Sequence, residues 1–219
     1  MQKQSIDLKK LERKVWTSFF EDGIWDIYLG LLLLALAVGT FFTDVGLTEQ
    51  YSIFGHIGVV ILAIFFLWLG KRLITLPRMG TVHFGPKGRA RITKAQIILV
   101  ISCFLGLAAF MLVSSAISNV TIRQQTMDFI FPSFWATTML VVFGFAAYFL
   151  KYRRLFVIGI LYAVAVPADK IMRHVLHIDL TVLAIGVPAL IILIMGFIVL
   201  VRFLKKYPPL HEEEQNAEV

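Results

Sequence analysis

The chain has 219 residues, of which 58% are hydrophobic and only 16% are charged, against about 25% charged in a typical soluble domain. A soluble domain of this size cannot hide so much apolar surface, so lipid must be the solvent for much of the chain. The formal net charge is +7, but the basic residues flank apolar segments, where they set orientation and contact anionic lipid headgroups, so no nucleic-acid binding is predicted.

An amphipathic helix is predicted at the N-terminus, within residues 1–22. Between residues 5 and 20, apolar side chains recur at three- and four-residue steps, and lysine and arginine occupy the opposite face. This pattern is typical of a helix that lies in the headgroup layer.

Six apolar segments approach or exceed the roughly 20 residues that a helix needs to cross a bilayer. The predicted spans are about 23–42, 53–70, 95–117, 129–150, 155–172 and 180–204. The apolar part of the fifth, from Leu155 to Ala168, is only 14 residues long, so this span crosses only if its helix continues past Pro167. The predicted fold is therefore all-α, an integral membrane bundle of six transmembrane helices within residues 23–206 with an N-terminal interfacial amphipathic helix. A disordered acidic tail follows at 207–219.

The basic residues predict the orientation of the bundle. With six spans, 18 of the 21 lysines and arginines fall on one side of the membrane. The positive-inside rule then places both termini in the cytoplasm. If the fifth span did not cross, the basic residues at the end of the sixth span would change sides and weaken this asymmetry.

The start of the first span carries the first candidate site. Asp22, Asp26 and Gly30 lie on one helix face at four-residue steps, and an acid as deep as Asp26 should face protein or water. Stabilisation by the helix dipole and a nearby basic loop is the simpler interpretation, and proton or cation handling is the alternative. A salt bridge from Arg78 would tie that loop to Asp26.

The second candidate is the cytoplasmic loop at 71–94, which contains seven basic residues. Thr81 to Phe84 has the composition of a short strand. Contact with anionic lipid is the favoured role, and docking of a cytoplasmic protein partner is the alternative. The residues predicted to contact anionic lipid are Lys71, Arg72, Lys87, Arg89 and Arg91.

Two further groups of ionisable residues lie near the predicted outer surface. Asp169, Arg173, His174 and His177 lie at the outer end of span 5, and the two histidines are three residues apart. Without a further ligand this spacing does not define a metal site, so a solvated turn is favoured over a pH-sensing site, and no metal or cofactor is predicted. His56 in span 2 has glycine neighbours, which favour helix packing over a proton relay or substrate contact.

The sequence lacks the signatures of common enzyme classes. It contains no H-E-x-x-H, G-x-S-x-G or G-x-G-x-x-G pattern, and spans 2, 3, 4 and 6 contain no acidic residue. Catalysis usually needs an acid, a base or a nucleophile held together in a dry pocket. An enzymatic function is therefore not predicted.

Two segments resemble a pattern found in uncharacterised small bacterial multi-pass membrane proteins. They are FEDGIWDIYLG at 20–30 and LPRMGTVHFG at 76–85. The resemblance implies a bacterial inner-membrane setting and no function.

The favoured function is that of a non-enzymatic membrane subunit, scaffold or regulator with a basic cytoplasmic face. The first alternative is a small ion or solute transporter or channel that uses Asp26, His56 and Asp169 along a path. The second is a lipid-modifying membrane enzyme. The sequence leaves the oligomeric state and the identity of any protein partner open.

Overall fold

The computed structural model describes residues 21–79, 93, 97, 120–176 and 181–208, and these residues are helical apart from short connections. Five helices in the described part of the chain are long and apolar enough to cross a membrane, which is the arrangement of a multi-pass membrane protein. The helices are α1 (Ile24–Asp44), α2 (Glu49–Gly70), α3 (Leu76–Met79), α4 (Val120–Leu150), α5 (Arg154–Leu176) and α6 (Thr181–Lys206), with a π-helical turn (Lys71–Thr75) between α2 and α3.

The structure confirms that the fifth predicted span forms a helix of sufficient length. Helix α5 passes through Pro167 and continues to Leu176, so its 23 residues rise about 35 Å, more than the about 30 Å of a bilayer core. The predicted N-terminal helix, the strand at 81–84, the third span at 95–117 and the tail beyond residue 208 lie outside the described residues.

The second span is longer than predicted, because residues 71–79 are helical rather than part of a loop. The N–H of Leu76 bonds to the carbonyl of Lys71, five residues back, which is the hydrogen bond of a π-helix. Pro77 consequently lies in the first turn of α3, where a missing N–H and a fixed φ are tolerated.

The described helices form a row in the order α2, α1, α6, α5, α4, with α1 also touching α5. Their main core lies where α1, α5 and α6 meet. It is built from Leu33, Ala37, Ile158, Tyr162, Ala165, Ile185, Ala189 and Ile192.

Glycines allow α1 and α6 to cross closely. Gly23 caps α1 with a φ of 73°, and a Cβ there would lie 2.5 Å from the carbonyl oxygen of Gly196. A Cβ on Gly196 would in turn lie 2.8 Å from the backbone nitrogen of Ile27. No larger residue fits either position without moving a helix, so these glycines bring the start of α1 against the end of α6.

Candidate functional site

Four helix ends meet at one end of the bundle and bring buried charges together there. The group comprises two acids at the start of α1, their basic partners and two hydroxyl donors, and we call it the ion-pair cluster. Its members are Asp22, Asp26, Lys71, Thr75, Tyr152 and Arg154.

Asp22 joins the start of α1 to the end of the second span. Its side chain is fully buried, its Oδ1 accepts a 3.2 Å hydrogen bond from the N–H of Ile24, and its Oδ2 accepts a 2.7 Å bond from the Thr75 hydroxyl. The Lys71 ammonium forms an ion pair with the same Oδ2. Lys71 and Thr75 are both in the π-helical turn, so this unusual turn is the element that supplies the partners of Asp22.

Asp26 joins α1 to the start of α5. Its side chain is also fully buried, and its Oδ1 accepts a hydrogen bond from the Tyr152 hydroxyl. Its Oδ2 lies 3.0 Å from Nη1 of Arg154, an ion pair without the alignment of a hydrogen bond. A buried carboxylate needs such partners because desolvation would otherwise destabilise it by several kcal/mol or more.

Tyr152 lies in the short connection between α4 and α5, outside the spanning segments. Burial raises the pKa of its phenol, and the neighbouring Asp26 carboxylate raises it further. The phenol therefore stays protonated at physiological pH and keeps its role as a hydrogen-bond donor to Asp26. Its function in the cluster is to satisfy an acceptor, not to exchange a proton.

A second set of contacts holds the same helix ends from the outside. Nη1 of Arg78 donates to the carbonyl oxygens of Leu204 at 3.2 Å and Tyr207 at 2.6 Å. Nζ of Lys206 lies 3.5 Å from Oε2 of Glu21, in an exposed pair. Arg78 thus satisfies carbonyls left open at the C-terminal end of α6.

The expected salt bridge from Arg78 to Asp26 is therefore wrong, although both residues lie at the same end of the bundle. The Arg78 guanidinium donates to the last carbonyls of α6, and the Asp26 carboxylate forms its ion pair with Arg154. The sequence predicted that the acids and the basic clusters lie at the same end of the bundle, but it did not indicate which helix end lies beside which.

Lys71 also departs from its predicted role as a lipid contact. Its ammonium points inward to Asp22, and its side chain is 18% exposed. Arg72, the next residue, is exposed, and its guanidinium carbon lies 5.2 Å from the centre of the Trp68 ring. Of these two neighbours, Arg72 is the one available to the headgroup layer.

The structure separates the ionisable residues that a transport path was expected to use. His56 is half-buried. A Cβ added to Gly39 of α1 would lie 3.6 Å from the Cβ of His56, so this histidine lies in the contact between α1 and α2. Asp169 is buried on α5, but α5 rises about 22 Å between Arg154 and Asp169. Asp26 and Asp169 therefore lie toward opposite ends of the bundle.

Several predicted site residues cannot be placed in this arrangement. Among the described residues, no group of three or more His, Cys, Asp and Glu side chains is placed to hold a metal ion. The side chains of the remaining candidates lie outside the described part of the chain: Arg173, His174, His177, Lys87, Arg89 and Arg91.

An apolar groove runs beside the cluster along the outer side of α2. It has a volume of about 430 Å³ and is open along one side. Its walls contain two tryptophans and aliphatic residues, with basic residues toward the α3 end. The lining residues are Trp25, Ile64, Leu67, Trp68, Lys71, Arg72 and Leu76.

Sequence reasoning identified Asp26 but missed its partners and the role of Asp22. The available signal was the recurrence of a basic group at the end of each helical hairpin, including Lys71 and Arg154. Two acids one helical turn apart at the same end of the bundle need two cations beside them, and these basic groups provide the cations.

No family model, curated protein or solved structure matches the chain.

Proposed function

We propose that the chain is a non-enzymatic component of a bacterial inner membrane, a subunit, scaffold or regulator that presents a basic face to the cytoplasm. In this proposal the chain crosses six times, and both termini and the ion-pair cluster are on the cytoplasmic side. Its partners are anionic lipid headgroups and a membrane or cytoplasmic protein.

The observation that carries this proposal is the location of the buried charges. Asp22 and Asp26 both lie at one end of the bundle, and each is paired with a cation. The described core between α1, α5 and α6 is instead closed by aliphatic side chains and Tyr162, whose hydroxyl donates to the carbonyl oxygen of Leu29 at 2.5 Å. Charges used this way hold helices together. Asp169, the other buried acid among the described residues, lies toward the opposite end of α5, and the described core between these ends contains no acid.

The directions of the helices support a sixth crossing. Helix α2 and its extension end at the ion-pair cluster. Helix α4 also ends there, so it begins at the opposite end of the bundle. In this proposal, residues 80–119 connect these two ends of the bundle. If the flanking helices span the bilayer, this connection crosses it as well, and the apolar segment at 95–117 has the length to do so.

Cysteine labelling in intact cells tests the topology. On a Cys103→Ala background, which removes the single cysteine, we expect a membrane-impermeant maleimide to label Thr48→Cys and Gln124→Cys. We expect Arg153→Cys to be labelled only after the membrane is opened. Labelling of Arg153→Cys in intact cells would contradict the cytoplasmic orientation, and protection of Gln124→Cys would contradict the sixth crossing.

Two measurements test the functional class. Native mass spectrometry of the protein extracted from its own membrane should show a protein partner at fixed stoichiometry. Proteoliposomes should dissipate ion gradients no faster than empty vesicles. Faster dissipation that is abolished by Asp169→Asn would instead support the transporter alternative.

A further inference from the structure

The apolar groove beside α2 is lined mostly by residues that lie along the helical chain between Ile64 and Leu76. From Ile64 to Leu76 the helical chain rises about 18 Å, slightly more than the about 15 Å of hydrocarbon in one leaflet. The groove has a volume of about 430 Å³ and is open along one side, as a site beside the acyl chains of the bilayer must be. The groove therefore runs through one leaflet, from near the middle of the bilayer to the headgroup layer.

A cation marks the headgroup end of this groove. The Arg72 guanidinium lies over the Trp68 ring, a contact that uses none of its N–H donors. Among the described residues, no carboxylate forms an ion pair with Arg72. An arginine in this setting favours a phosphate, which its planar fork can bind through two parallel hydrogen bonds.

The charge of the neighbouring Lys71 is already balanced, and this favours an anionic lipid over a zwitterionic one in the groove. Lys71 also lines the groove, but its charge is balanced by the buried Asp22 carboxylate. Within the described part of the chain, the groove end therefore carries the unpaired positive charge of Arg72. A lipid with a net negative headgroup balances that charge, whereas a zwitterionic headgroup already contains its own cation.

We infer that this groove binds one anionic phospholipid, with an acyl chain along Trp25, Leu67 and Trp68 and the phosphate on Arg72. The inference deepens the proposed function, because it rests on this end of the bundle facing the anionic cytoplasmic leaflet. It also distinguishes a defined lipid site from the general attraction of a basic surface for anionic lipid.

Tryptophan quenching by brominated lipid tests the site directly. The full chain carrying Trp16→Phe and Trp135→Phe keeps only the two groove tryptophans. It is reconstituted into phosphatidylcholine vesicles containing a small fraction of either brominated phosphatidylglycerol or brominated phosphatidylcholine. We expect stronger quenching by the anionic lipid at equal fraction. Arg72→Gln should reduce this preference about five- to tenfold.

Arg202→Gln is the matched control, since Arg202 is an exposed arginine near the same end of the bundle and does not line the groove. It should leave the preference unchanged. Equal quenching by both lipids, equal loss in the two arginine variants, or no quenching because another segment covers the groove would each overturn the inference. Both leaflets have the same composition here, so these outcomes contradict the lipid site without bearing on orientation.

A second measurement avoids the tryptophan substitutions. The unaltered protein, reconstituted with a defined mixture of unbrominated phosphatidylglycerol and phosphatidylcholine, is released for native mass spectrometry. One retained phosphatidylglycerol, lost in Arg72→Gln and kept in Arg202→Gln, supports the site. Retention of phosphatidylcholine in the same amount overturns it.

Discussion

Helices α1 and α2 are neighbours and both are strongly apolar, yet they have different surroundings. On α1, eight residues are buried, including Asp26, Gly30 and Gly39. On α2, only Ala63 and Gly70 are buried, and large side chains such as Phe54 and Phe65 are exposed. Helix α1 is thus surrounded by other helices, while α2 shows most of its surface to the outside of the described bundle.

The difference between these helices shows what hydropathy does and does not report. The apolar content of a helix decides whether it prefers lipid to water. It does not drive helices together in the bilayer, because lipid tails are as apolar as leucine. What distinguishes α1 is that the backbone of α6 packs against Gly23 and Gly30, whereas the glycines of α2 meet only side chains or open space. The two acids at the start of α1 are also buried and paired. The following predictions test whether those residues, rather than apolar content, make α1 the central helix.

Replacing Asp26 should have the largest effect. Asp26→Asn leaves Arg154 without its carboxylate, and we expect the free energy of unfolding to fall by about 2–3 kcal/mol. This loss is at or below the usual cost of breaking a buried ion pair, because Arg154 is 27% exposed. Glu49→Gln, which changes an exposed acid at the start of α2, should change it by less than about 0.5 kcal/mol. Unfolding in mixed micelles followed by far-UV circular dichroism provides the measurement.

A double-mutant cycle identifies the partner of Asp26. The effect of Asp26→Asn should couple to Arg154→Gln and add to Arg78→Gln, since Arg78 binds the carbonyls of Leu204 and Tyr207. Coupling to Arg78 with simple addition for Arg154 would show that the ion-pair cluster is assigned incorrectly.

Adding one methyl group should also distinguish the packing of α1 from that of α2, through a smaller change in the free energy of unfolding. Gly196→Ala places a Cβ 2.8 Å from the backbone of Ile27 in α1, and we expect a loss of about 1–3 kcal/mol from overpacking. Gly58→Ala on α2 meets nothing within 4 Å, so the better helix propensity of alanine should leave stability unchanged or raise it by up to about 1 kcal/mol. Equal losses at both sites would mean that α1 is not held by close packing against α6.

The smallest effect is expected at the exposed pair between Lys206 and Glu21. Lys206→Gln should lower the free energy of unfolding by at most about 0.5 kcal/mol, and added salt should remove the difference. The same unfolding assay at low and high ionic strength measures it. A larger, salt-independent loss would place this contact with the buried pairs instead of at the surface.

The positions of the described spans could be predicted from the sequence, because apolar length alone decides whether a helix can cross. The end of α2 could not, since Pro77 normally indicates a break and the π-helical turn that accommodates it has no clear sequence signature. The extension matters for the site, because Lys71 and Thr75 would not reach Asp22 from a loop of undefined course.

The acids of the site could also be predicted, but their partners could not. Counting basic residues placed Lys71, Arg78 and Arg154 at the same end as Asp26. Pairing depends on the lateral order of the helices, in which α6 and not α2 lies between α1 and α5 over most of their length. Hydropathy and charge counts contain no information on that order, so they do not distinguish Arg154 from Arg78 as the partner of Asp26.

The two acids at the start of α1 meet their partners at very different times during synthesis. Asp22 is 49 residues from Lys71, so its pair completes as soon as the first helical hairpin has been made. Asp26 is 126 residues from Tyr152, and two-thirds of the chain must be translated before its partners exist. Until then Asp26 has neither the hydroxyl of Tyr152 nor the guanidinium of Arg154 beside it, and a chain truncated before Tyr152 lacks both of these partners.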